Sequence, residues 1–309
     1  MKGLVTRTTG SWYRVLSDDG AAYDCRLRGN YRLRGNKQTN PIAVGDHVDF
    51  SLQDDGTGVI AEVDDRRNYI VRRATKLSKQ THVIAANIDL LCVVATLGAP
   101  RTSTGFIDRL LVTAEAYHIP ACVVFNKCDL YDDELLVIQR ELSSMYTEAG
   151  YEVFCLSAMT GDGVDALKRR IAGCTVLFSG HSGVGKSALL NAIDPSLSLR
   201  VGDISDWSMK GRHTTTFAEI FTIALTPDEN AFVIDTPGIK EFGMVDFTVQ
   251  ELSHFYPEMR RVLHGCRFAN CTHRHEPGCA VKAAVDEGSI NAERYANYLS
   301  IAEQIESGE

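Results

Sequence analysis

Residues 180–187 read GHSGVGKS and match the phosphate-binding pattern G-x-x-x-x-G-K-[ST]. A strand-like run, TVLFSG, leads into the segment and a helix-like run, SALLNAI, follows it. In that context the glycines let backbone N–H groups wrap phosphates at a helix N-terminus. Lys186 should then reach the β- and γ-phosphates, and the Ser187 hydroxyl should ligate Mg²⁺. The same context disfavours the alternative, a tight strand-to-helix turn without a ligand.

From Ile88 onward, apolar strand-like runs alternate with amphipathic helix-like runs. The strand-like runs read IDLLCVVAT, PACVVFNK, YEVFCLSA and TVLFSG, and the runs FIDRLLVTAEAYH, DELLVIQRELSSMYTEAG and VDALKRRIA lie between them. Such alternation predicts a parallel sheet with helices on both faces, which binds ligands at the carboxyl ends of its strands. The segments FNKCD, LSA, SGHSGVGKS and FVIDTPG all lie at predicted strand ends.

The tetrapeptide NKCD ends at Asp129 and predicts guanine recognition. A carboxylate at this place can accept two hydrogen bonds, from N1–H and the 2-amino group of guanine, and adenine cannot supply that pair. Lys127 is expected to lie along the base plane, and Asn126 is expected to brace the loop. A backbone N–H from the SA pair, Ser157 and Ala158, is expected to bind the guanine oxygen. The pattern therefore favours GTP over ATP.

Two more motifs complete the predicted nucleotide site. DTPG begins at Asp235, whose carboxylate would join the Mg²⁺ shell, and it ends at Gly238, whose amide would sense the γ-phosphate. GRHTTT provides Thr214 and Thr215 as switch threonines, and Lys186 and Thr215 are the predicted catalytic residues. The predicted nucleotide-binding residues are Asn126, Lys127, Cys128, Asp129, Ser157, Ala158, Ser179, Gly180, His181, Ser182, Gly183, Val184, Gly185, Lys186, Ser187, Asp235 and Gly238.

The order of these motifs differs from that of ordinary GTP-binding proteins, in which the phosphate loop comes first. Here the order is guanine motif, SA pair, phosphate loop, switch threonines and DTPG. We interpret this order as a circular permutation, which folds tolerate because domain termini commonly lie close together at the surface. DTPG then leads directly into the C-terminal segment, so loss of the γ-phosphate could pull on that segment.

The N-terminal region has a different texture, with short strand-like runs separated by Gly and Asp turns. This pattern predicts a small β-barrel of the oligonucleotide-binding type. The net charge of the chain is −8, but residues 1–80 carry 14 Lys and Arg against 10 Asp and Glu. The stretch RLRGNYRLRGNK, residues 26–37, holds five positive charges around Tyr31. A solvated hairpin loop is the simpler explanation, but cations around an aromatic ring favour RNA contact.

A cluster of metal-ligand residues lies after a helix-like segment that starts with the capping box Thr248 to Glu251. The cluster has the pattern C-x4-C-x-H-x5-C, and its members are Cys266, Cys271, His273 and Cys279. Three thiolates and one imidazole form a closed tetrahedral Zn²⁺ site without a position for water, so one structural Zn²⁺ is predicted. The alternatives are disulfides or loose surface cysteines, and His275 is a weaker substitute for His273.

The remaining composition describes an ordinary globular chain. The N-terminus lacks an apolar leader, and no run of about 18 apolar residues occurs, which predicts a cytosolic protein without a membrane partner. Nine cysteines, an odd number, fit a reducing compartment. The cysteines outside the motifs are expected to be small core residues; they are Cys25, Cys92, Cys122, Cys155 and Cys174.

Together these motifs resemble one family, the circularly permuted, ribosome small-subunit-dependent GTPases of bacteria (ribosome small subunit-dependent GTPase A). The resemblance covers essentially the whole chain, from the barrel through NKCD, GHSGVGKS, GRHTTT and DTPG to CRFANCTHRHEPGC. It implies a factor that binds the small ribosomal subunit late in assembly and hydrolyses GTP there. A monomer is expected. It also implies that the barrel and the zinc region contact rRNA.

One departure concerns catalysis. Ras-like enzymes carry a water-positioning Gln directly after DxxG, and this chain has Ile239 there, as the resemblance also implies. A His that some family members place further along would fall at Asp246. The group that positions the attacking water is therefore not assigned from the sequence.

The predicted fold class is an α/β P-loop GTPase domain, circularly permuted, with an N-terminal OB-type β-barrel and a C-terminal helical zinc-binding domain. The predicted domains are residues 1–72, 73–243 and 244–309, in that order. Two other functions stay open: a nucleotide-gated RNA-binding module with incidental hydrolysis, and a GTPase that delivers metal to a client enzyme. The second needs an exchangeable metal site, which a closed Cys3His set disfavours.

Overall fold

The computed structural model describes residues 1–28, 41–73, 81–199, 218–226, 229–235 and 247–307. The chain divides into two compact units, and each is treated by itself. Unit 1 comprises residues 1–90, 170–177 and 203–239, and unit 2 comprises residues 91–169, 178–202 and 240–309.

The secondary structure follows the predicted alternation. The strands are β1 (Lys2–Thr8), β2 (Tyr13–Ser17), β3 (Ala22–Leu27), β4 (His47–Leu52), β5 (Gly58–Val63), β6 (Tyr69–Arg73), β7 (Thr81–Ala86), β8 (Leu90–Ala95), β9 (Ala121–Phe125), β10 (Glu152–Cys155), β11 (Thr175–Ser179), β12 (Glu219–Ala224) and β13 (Asn230–Asp235). The α-helices are α1 (Thr104–Ala116), α2 (Asp133–Ala149), α3 (Val164–Ile171), α4 (Lys186–Ile193), α5 (Val249–Leu252), α6 (Pro257–Arg260), α7 (Ala280–Asp286) and α8 (Ala292–Ser307).

A closed β-barrel forms the first part of unit 1. Its strands pair in the order β1-β2-β3-β5-β4, and β4 returns to pair with β1. Alternate side chains point inward, and Val5, Val15, Phe50 and Ile60 are buried in a common core. This arrangement confirms the predicted barrel. Each strand buries one face, as the short alternating sequence runs predict, and closure leaves no unpaired edge among the described strands of the barrel.

The rest of unit 1 contains two features that the sequence pattern did not predict. β6 and β7 form an antiparallel hairpin. β12 runs antiparallel to β13, whereas β13 and β11 are parallel. β12 also pairs with β1 of the barrel through Arg7 and Glu219, so barrel and α/β strands share one hydrogen-bonded ladder within this unit.

Unit 2 contains the parallel strands β8, β9 and β10 and the helices α1 and α2. All six residues of β8 are buried, as expected for a parallel strand that helices cover on both faces. Ser103 caps the N-terminus of α1, where its side chain accepts from the Phe106 N–H, and Asp132 caps α2, where its side chain accepts from the Leu135 N–H. Gly150, in the left-handed conformation, caps the C-terminus of α2. The predicted βαβ alternation is confirmed here.

The C-terminal part of unit 2 is helical, as predicted, and contains α5 to α8. The predicted capping box is present, since Glu251 Oε2 accepts from the Thr248 N–H at 2.8 Å. Tyr256, Tyr298 and Ile301 belong to an apolar core that also includes Val112 of α1. Among the described residues, no helix combines the length and the apolar character that crossing a membrane requires.

Candidate nucleotide site and metal centre

The phosphate loop of unit 2 connects the end of β11 to the first turn of α4. Two of its glycines are required by close approach. A Cβ on Gly180 would collide with the Val94 carbonyl oxygen. Gly185 has φ +91° and caps α4, and a Cβ there would lie 2.5 Å from Asn126 Nδ2. The loop is therefore packed against β8 and against the guanine motif, as a P-loop requires.

Lys186 is directed into this loop. Its Nζ donates to the Gly180 carbonyl at 2.7 Å and to the His181 carbonyl at 2.9 Å. Burial lowers the pKa of Lys186 to about 8. Burial and the neighbouring Lys186 also lower the pKa of His181. The loop thus concentrates a desolvated cation at the place where the sequence predicts phosphates, while Ser187 is buried in the first turn of α4.

Asn126 joins three predicted segments. Its side chain is 1% exposed; Nδ2 donates to the Val184 carbonyl at 2.9 Å, and Oδ1 accepts from the Ala158 N–H at 3.1 Å. One amide group therefore connects the guanine motif, the phosphate loop and the SA pair. This contact is the bracing that the sequence predicted for Asn126.

The other residues of the guanine motif differ in exposure. Lys127 has φ +65°, and its Nζ donates to the Ala99 carbonyl at 3.0 Å. The Cys128 thiol donates to the Phe125 carbonyl at 3.3 Å, so this side chain turns toward the protein. Asp129 is exposed. Of these three side chains, that of Asp129 is the most exposed, and its role in guanine recognition stays a prediction.

The SA pair forms a tight turn. Ser157 is 1% exposed, and its Oγ accepts from the N–H groups of Met159 and Thr160 at 3.2 and 3.1 Å. The Ala158 N–H donates to Asn126, as described above. Its predicted donation to the guanine oxygen stays a prediction, as does the nucleotide contact of Ser157.

Sequence reasoning missed Tyr131. Its hydroxyl donates to the Asn126 carbonyl at 2.8 Å and accepts from the Leu97 N–H at 3.0 Å. Burial raises the pKa of Tyr131 to about 12, so the hydroxyl remains a donor at physiological pH. The sequence offered one signal, a tyrosine two residues after the guanine motif. A tyrosine buried at that place would need a hydrogen-bond partner for its hydroxyl, and the motif backbone is the nearest source.

Some predicted residues lie outside the described parts of the chain. They are the switch threonines Thr214 and Thr215, the DTPG glycine Gly238, and the two positions considered for water activation, Ile239 and Asp246. The backbone of Asp235 ends β13 in unit 1, and its side chain is not described. The catalytic and Mg²⁺ roles predicted for these residues stay predictions.

The four predicted zinc ligands come together in unit 2. The ligand atoms of Cys266, Cys271, His273 and Cys279 lie within 4.8 Å of one another. His273 Nδ1 is 3.6 Å from Cys266 Sγ and 3.4 Å from Cys279 Sγ. A tetrahedral Zn²⁺ with ordinary Zn–S and Zn–N bonds places such atoms about 3.6 Å apart. The cluster therefore fits a Zn²⁺ ion in composition and spacing.

Surrounding groups hold the backbone of this cluster. His273 has φ +59° and is 2% exposed, and its carbonyl accepts from the Tyr295 hydroxyl at 2.6 Å. The Tyr298 hydroxyl donates to the Thr272 carbonyl at 2.8 Å. Glu276 accepts from the Thr272 N–H at 2.7 Å. These bonds fix His273 as the imidazole of the cluster, while His275 is exposed and is not a member.

The cysteines outside the motifs follow the prediction in part. Cys25, Cys92 and Cys122 are buried core residues. Cys174 is half-buried and Cys155 is exposed, contrary to the expectation for both. Cys155 lies at the end of β10, which is an edge strand of the described part of the sheet.

The geometry of unit 2, a phosphate loop preceded in the chain by a guanine motif, is that of a circularly permuted GTPase. Residues 63–245 match the family model described as RsgA GTPase, and residues 2–60 match the model described as RsgA N-terminal domain. The chain belongs to the RsgA GTPase family and hydrolyses GTP. Family membership also makes a guanine nucleotide its ligand.

Individual relatives match this chain over nearly their whole length. The chain is 49% identical to the small ribosomal subunit biogenesis GTPase RsgA of Bacteroides fragilis over 308 residues, which cover 100% of this chain and 98% of the relative. It is 48% identical to the protein of the same name from Flavobacterium johnsoniae, with 98% and 93% of the two chains covered.

Two solved structures share the fold. YjeQ from Thermotoga maritima superposes with a TM-score of 0.82 at 35% identity, and 98% of each chain is covered. YloQ, described as a circularly permuted GTPase, superposes with a TM-score of 0.78 at 28% identity over 100% of this chain and 96% of that chain. The predicted fold class is confirmed.

Proposed function

We propose that this GTPase acts on the small ribosomal subunit in the cytoplasm and assists its late maturation. The observation that supports its nucleotide-binding part is the Asn126 junction, which joins the predicted guanine motif, the SA pair and the phosphate loop. The relatives that match over the full length are named for small ribosomal subunit biogenesis. A single copy of the chain is the proposed acting form.

We assign the nucleotide contacts as the sequence predicts them. Asp129 would accept from the guanine base, the amides of the phosphate loop would hold the phosphates, and Lys186 would neutralise the β- and γ-oxygens. Ser187 and Asp235 would ligate Mg²⁺, which supplies charge neutralisation when it is bound. The desolvated Lys186 ammonium and the buried Ser187 at the first turn of α4 support these roles.

The sequence contains no evident residue that orients the attacking water. Ile239 stands where Ras-like enzymes use a glutamine, and an aliphatic side chain neither donates nor accepts a hydrogen bond. We therefore propose that the small subunit supplies or completes the group that orients the water. A group supplied by a partner is worth roughly 10³ to 10⁵ in rate in other GTPases.

The barrel is the proposed rRNA-binding surface, together with the zinc region. The Arg26 guanidinium lies 3.9 Å from the centroid of the Trp12 ring. A cation beside an aromatic face is a combination that binds stacked bases and phosphates. Arg26 opens the basic segment 26–37, most of which lies outside the described residues.

The Cys3His cluster is proposed to hold one Zn²⁺ as a structural ion. All four positions of a tetrahedron are taken by protein ligands, which leaves no site for a substrate. We retain the predicted domain division at residues 1–72, 73–243 and 244–309. Its support is the change from barrel strands to α/β alternation and then to helices.

The decisive experiment measures GTP turnover with and without purified small subunits. We expect slow turnover by the protein alone and a large acceleration by the subunit. Replacing Arg28, Arg32 and Arg34 with Glu should abolish the acceleration and preserve the slow intrinsic rate. A charge-reversal control, Arg140→Glu with Arg169→Glu on exposed positions of unit 2, should keep the acceleration. Fast turnover without subunits, or full acceleration of the triple variant, would contradict the proposal.

The second candidate function is a nucleotide-gated RNA-binding module. The Arg26 and Trp12 contact on the barrel is the observation that favours it. In that case the subunit would change nucleotide affinity and leave turnover unaltered. The same turnover assay, combined with GTP titrations, separates the two functions.

A further inference from the structure

Helix α1 contacts the phosphate loop near its N-terminus. The Phe106 ring stacks on the His181 ring, with centroids 3.6 Å apart and planes inclined by 25°. His181 belongs to the loop, and its carbonyl accepts one of the two Lys186 hydrogen bonds. A displacement of Phe106 would therefore displace the backbone that holds Lys186.

The same helix is attached along its length to α8 of the C-terminal region. Thr104 Oγ1 donates to Glu293 Oε1 at 2.7 Å, and Arg109 Nη2 donates to Gln304 Oε1 at 2.6 Å. Val112, about two turns beyond Thr104, belongs to the apolar core that contains residues of α8. These contacts lie at several levels of the two helices, so the helices cannot shift independently without breaking some of them.

A buried charged network lies between these contacts. Arg294 of α8 is 1% exposed, and its guanidinium donates to Asp108 of α1 at 2.5 Å and to Glu258 of α6 at 2.7 Å. Asn297 donates to the second oxygen of Asp108 at 2.7 Å. The Tyr256 ring lies 4.6 Å from the guanidinium carbon. The planar guanidinium fixes both the distance and the orientation of α1 and α6 relative to α8. If either carboxylate shifted, a buried charge would be left unpaired.

The C-terminal end of this chain of contacts reaches the Cys/His centre. Tyr295 and Tyr298 of α8 donate to the carbonyls of His273 and Thr272, respectively. Helix α8 therefore contacts the metal cluster on one side and α1 on another. All the contacts named here lie within unit 2.

We propose that α1 and α8 couple the phosphate loop to the Cys/His region, with Phe106 and Arg294 as positioning residues. Nucleotide bound in the loop then stabilises α8 and the metal-binding segment against local opening. In return, a partner that moves α8 changes the affinity for the nucleotide. The two effects are equal in free energy because binding linkage is reciprocal. This coupling rests on the nucleotide site assigned under Proposed function and does not depend on which partner the C-terminal region contacts.

Hydrogen exchange of the full chain with and without saturating GDP tests the coupling. In the wild type we expect GDP to slow exchange in the phosphate loop, in α4 and also in α8. In Phe106→Ala, at saturating GDP, slowing should persist in α4 and disappear from α8. A merely structural role of Phe106 would leave the response of α8 unchanged. Absence of a response in α8 of the wild type, or an equal response in Phe106→Ala, would overturn the proposal.

GDP titrations give the second measurement. Phe106→Ala should bind GDP roughly threefold to tenfold more weakly, since an aromatic pair is worth about 0.5–1.5 kcal/mol. Phe154→Ala is the matched control, because it removes a half-buried ring of β10 that is not among the residues of the core shared by α1 and α8. The control should leave the response of α8 to GDP in place. Failure of the wild type to bind GDP at all would instead refute the nucleotide site itself.

A third measurement tests the contacts between α1 and α8 and leaves the buried charges of Arg294, Asp108 and Glu258 in place. The double variant Thr104→Val with Arg109→Met removes two partly exposed contacts between α1 and α8. It should fold, bind GDP and show a smaller response in α8 than the wild type. A response of α8 equal to that of the wild type would place the coupling elsewhere.

Discussion

The nucleotide site and the Cys/His centre of unit 2 are built in opposite ways. The first joins Asn126, Ala158 and Val184 through hydrogen bonds between distant segments of the chain. The second collects four ligand side chains from a 14-residue span, residues 266–279. Protein contacts therefore organise the nucleotide site. The Cys/His centre instead brings three thiols together, an arrangement that a metal ion stabilises.

This difference decides what each site contributes to the protein. A site held by amides and carbonyls tolerates exchange of its ligand, as a nucleotide cycle requires. A cluster of three thiols and an imidazole would be stabilised by the proposed Zn²⁺, which would then be a permanent part of the fold. The following four predictions test this contrast.

Removal of zinc should have the largest effect. Cys271→Ser should lose the metal and destabilise the segment that holds the cluster by about 10 kcal/mol, because structural zinc supplies folding free energy directly. Metal analysis and hydrogen exchange measure the two consequences. Cys174→Ser, at a half-buried cysteine outside the cluster, is the control and should retain one zinc per chain. Equal zinc in both variants would refute the metal site.

Asp129→Asn should weaken GTP binding by about 10- to 150-fold, the effect of losing charge-assisted hydrogen bonds of about 1.5–3 kcal/mol. The amide that replaces the carboxylate should favour xanthine, because it can donate where the carboxylate accepts. Titrations with GTP and XTP measure the exchange of preference. Asp133→Asn, on an exposed residue at the start of α2, should change neither affinity. Unchanged GTP affinity of the Asp129 variant would remove the guanine assignment.

Asn126→Ala should lower the free energy of unfolding by about 1–3 kcal/mol, because it leaves the buried Val184 carbonyl and the Ala158 N–H without their partner. Its nucleotide affinity should fall as well, since the three segments are then no longer joined. Urea unfolding gives the stability change from the midpoint at constant slope. An unchanged midpoint would show that the fold, and not this amide, organises the site.

Tyr131→Phe should have the smallest effect, about 0.5–1.5 kcal/mol, for the loss of a buried hydrogen-bonded hydroxyl. The ring remains in place, so packing is preserved and the change isolates the polar contacts to Asn126 and Leu97. Urea unfolding and GDP titration are the measurements. A loss larger than that of Asn126→Ala would reverse the order of importance inferred here.

The sequence predicted those features that a local pattern encodes. The phosphate loop, the barrel strands, the parallel βαβ runs and the Cys/His spacing are each contained in a short stretch of chain. The sequence also predicted that Asn126 braces its loop, because that role follows from the motif. It did not indicate that Val184 and Ala158 are the partners, since these contacts depend on how strands pack.

The missed features depend on long-range contacts or on weak local signals. The hairpin of β6 and β7 and the antiparallel strand β12 lie between stronger motifs, and their pairing partners are not evident locally. Tyr131 and Arg294 are ordinary residues of turns and helices until the fold buries them. Burial converts their polar groups into structural contacts, and burial is a property of the whole fold.

Lys127 holds a backbone conformation, φ +65°, that costs a lysine roughly 1–2 kcal/mol and a glycine almost nothing. Two selections on this protein would therefore act against each other at position 127. Screening variants for thermal stability alone would enrich glycine or asparagine there, and screening for guanine-nucleotide binding would return the lysine. The proposed contact of Lys127 with the nucleotide would then outweigh the preference of the backbone for glycine.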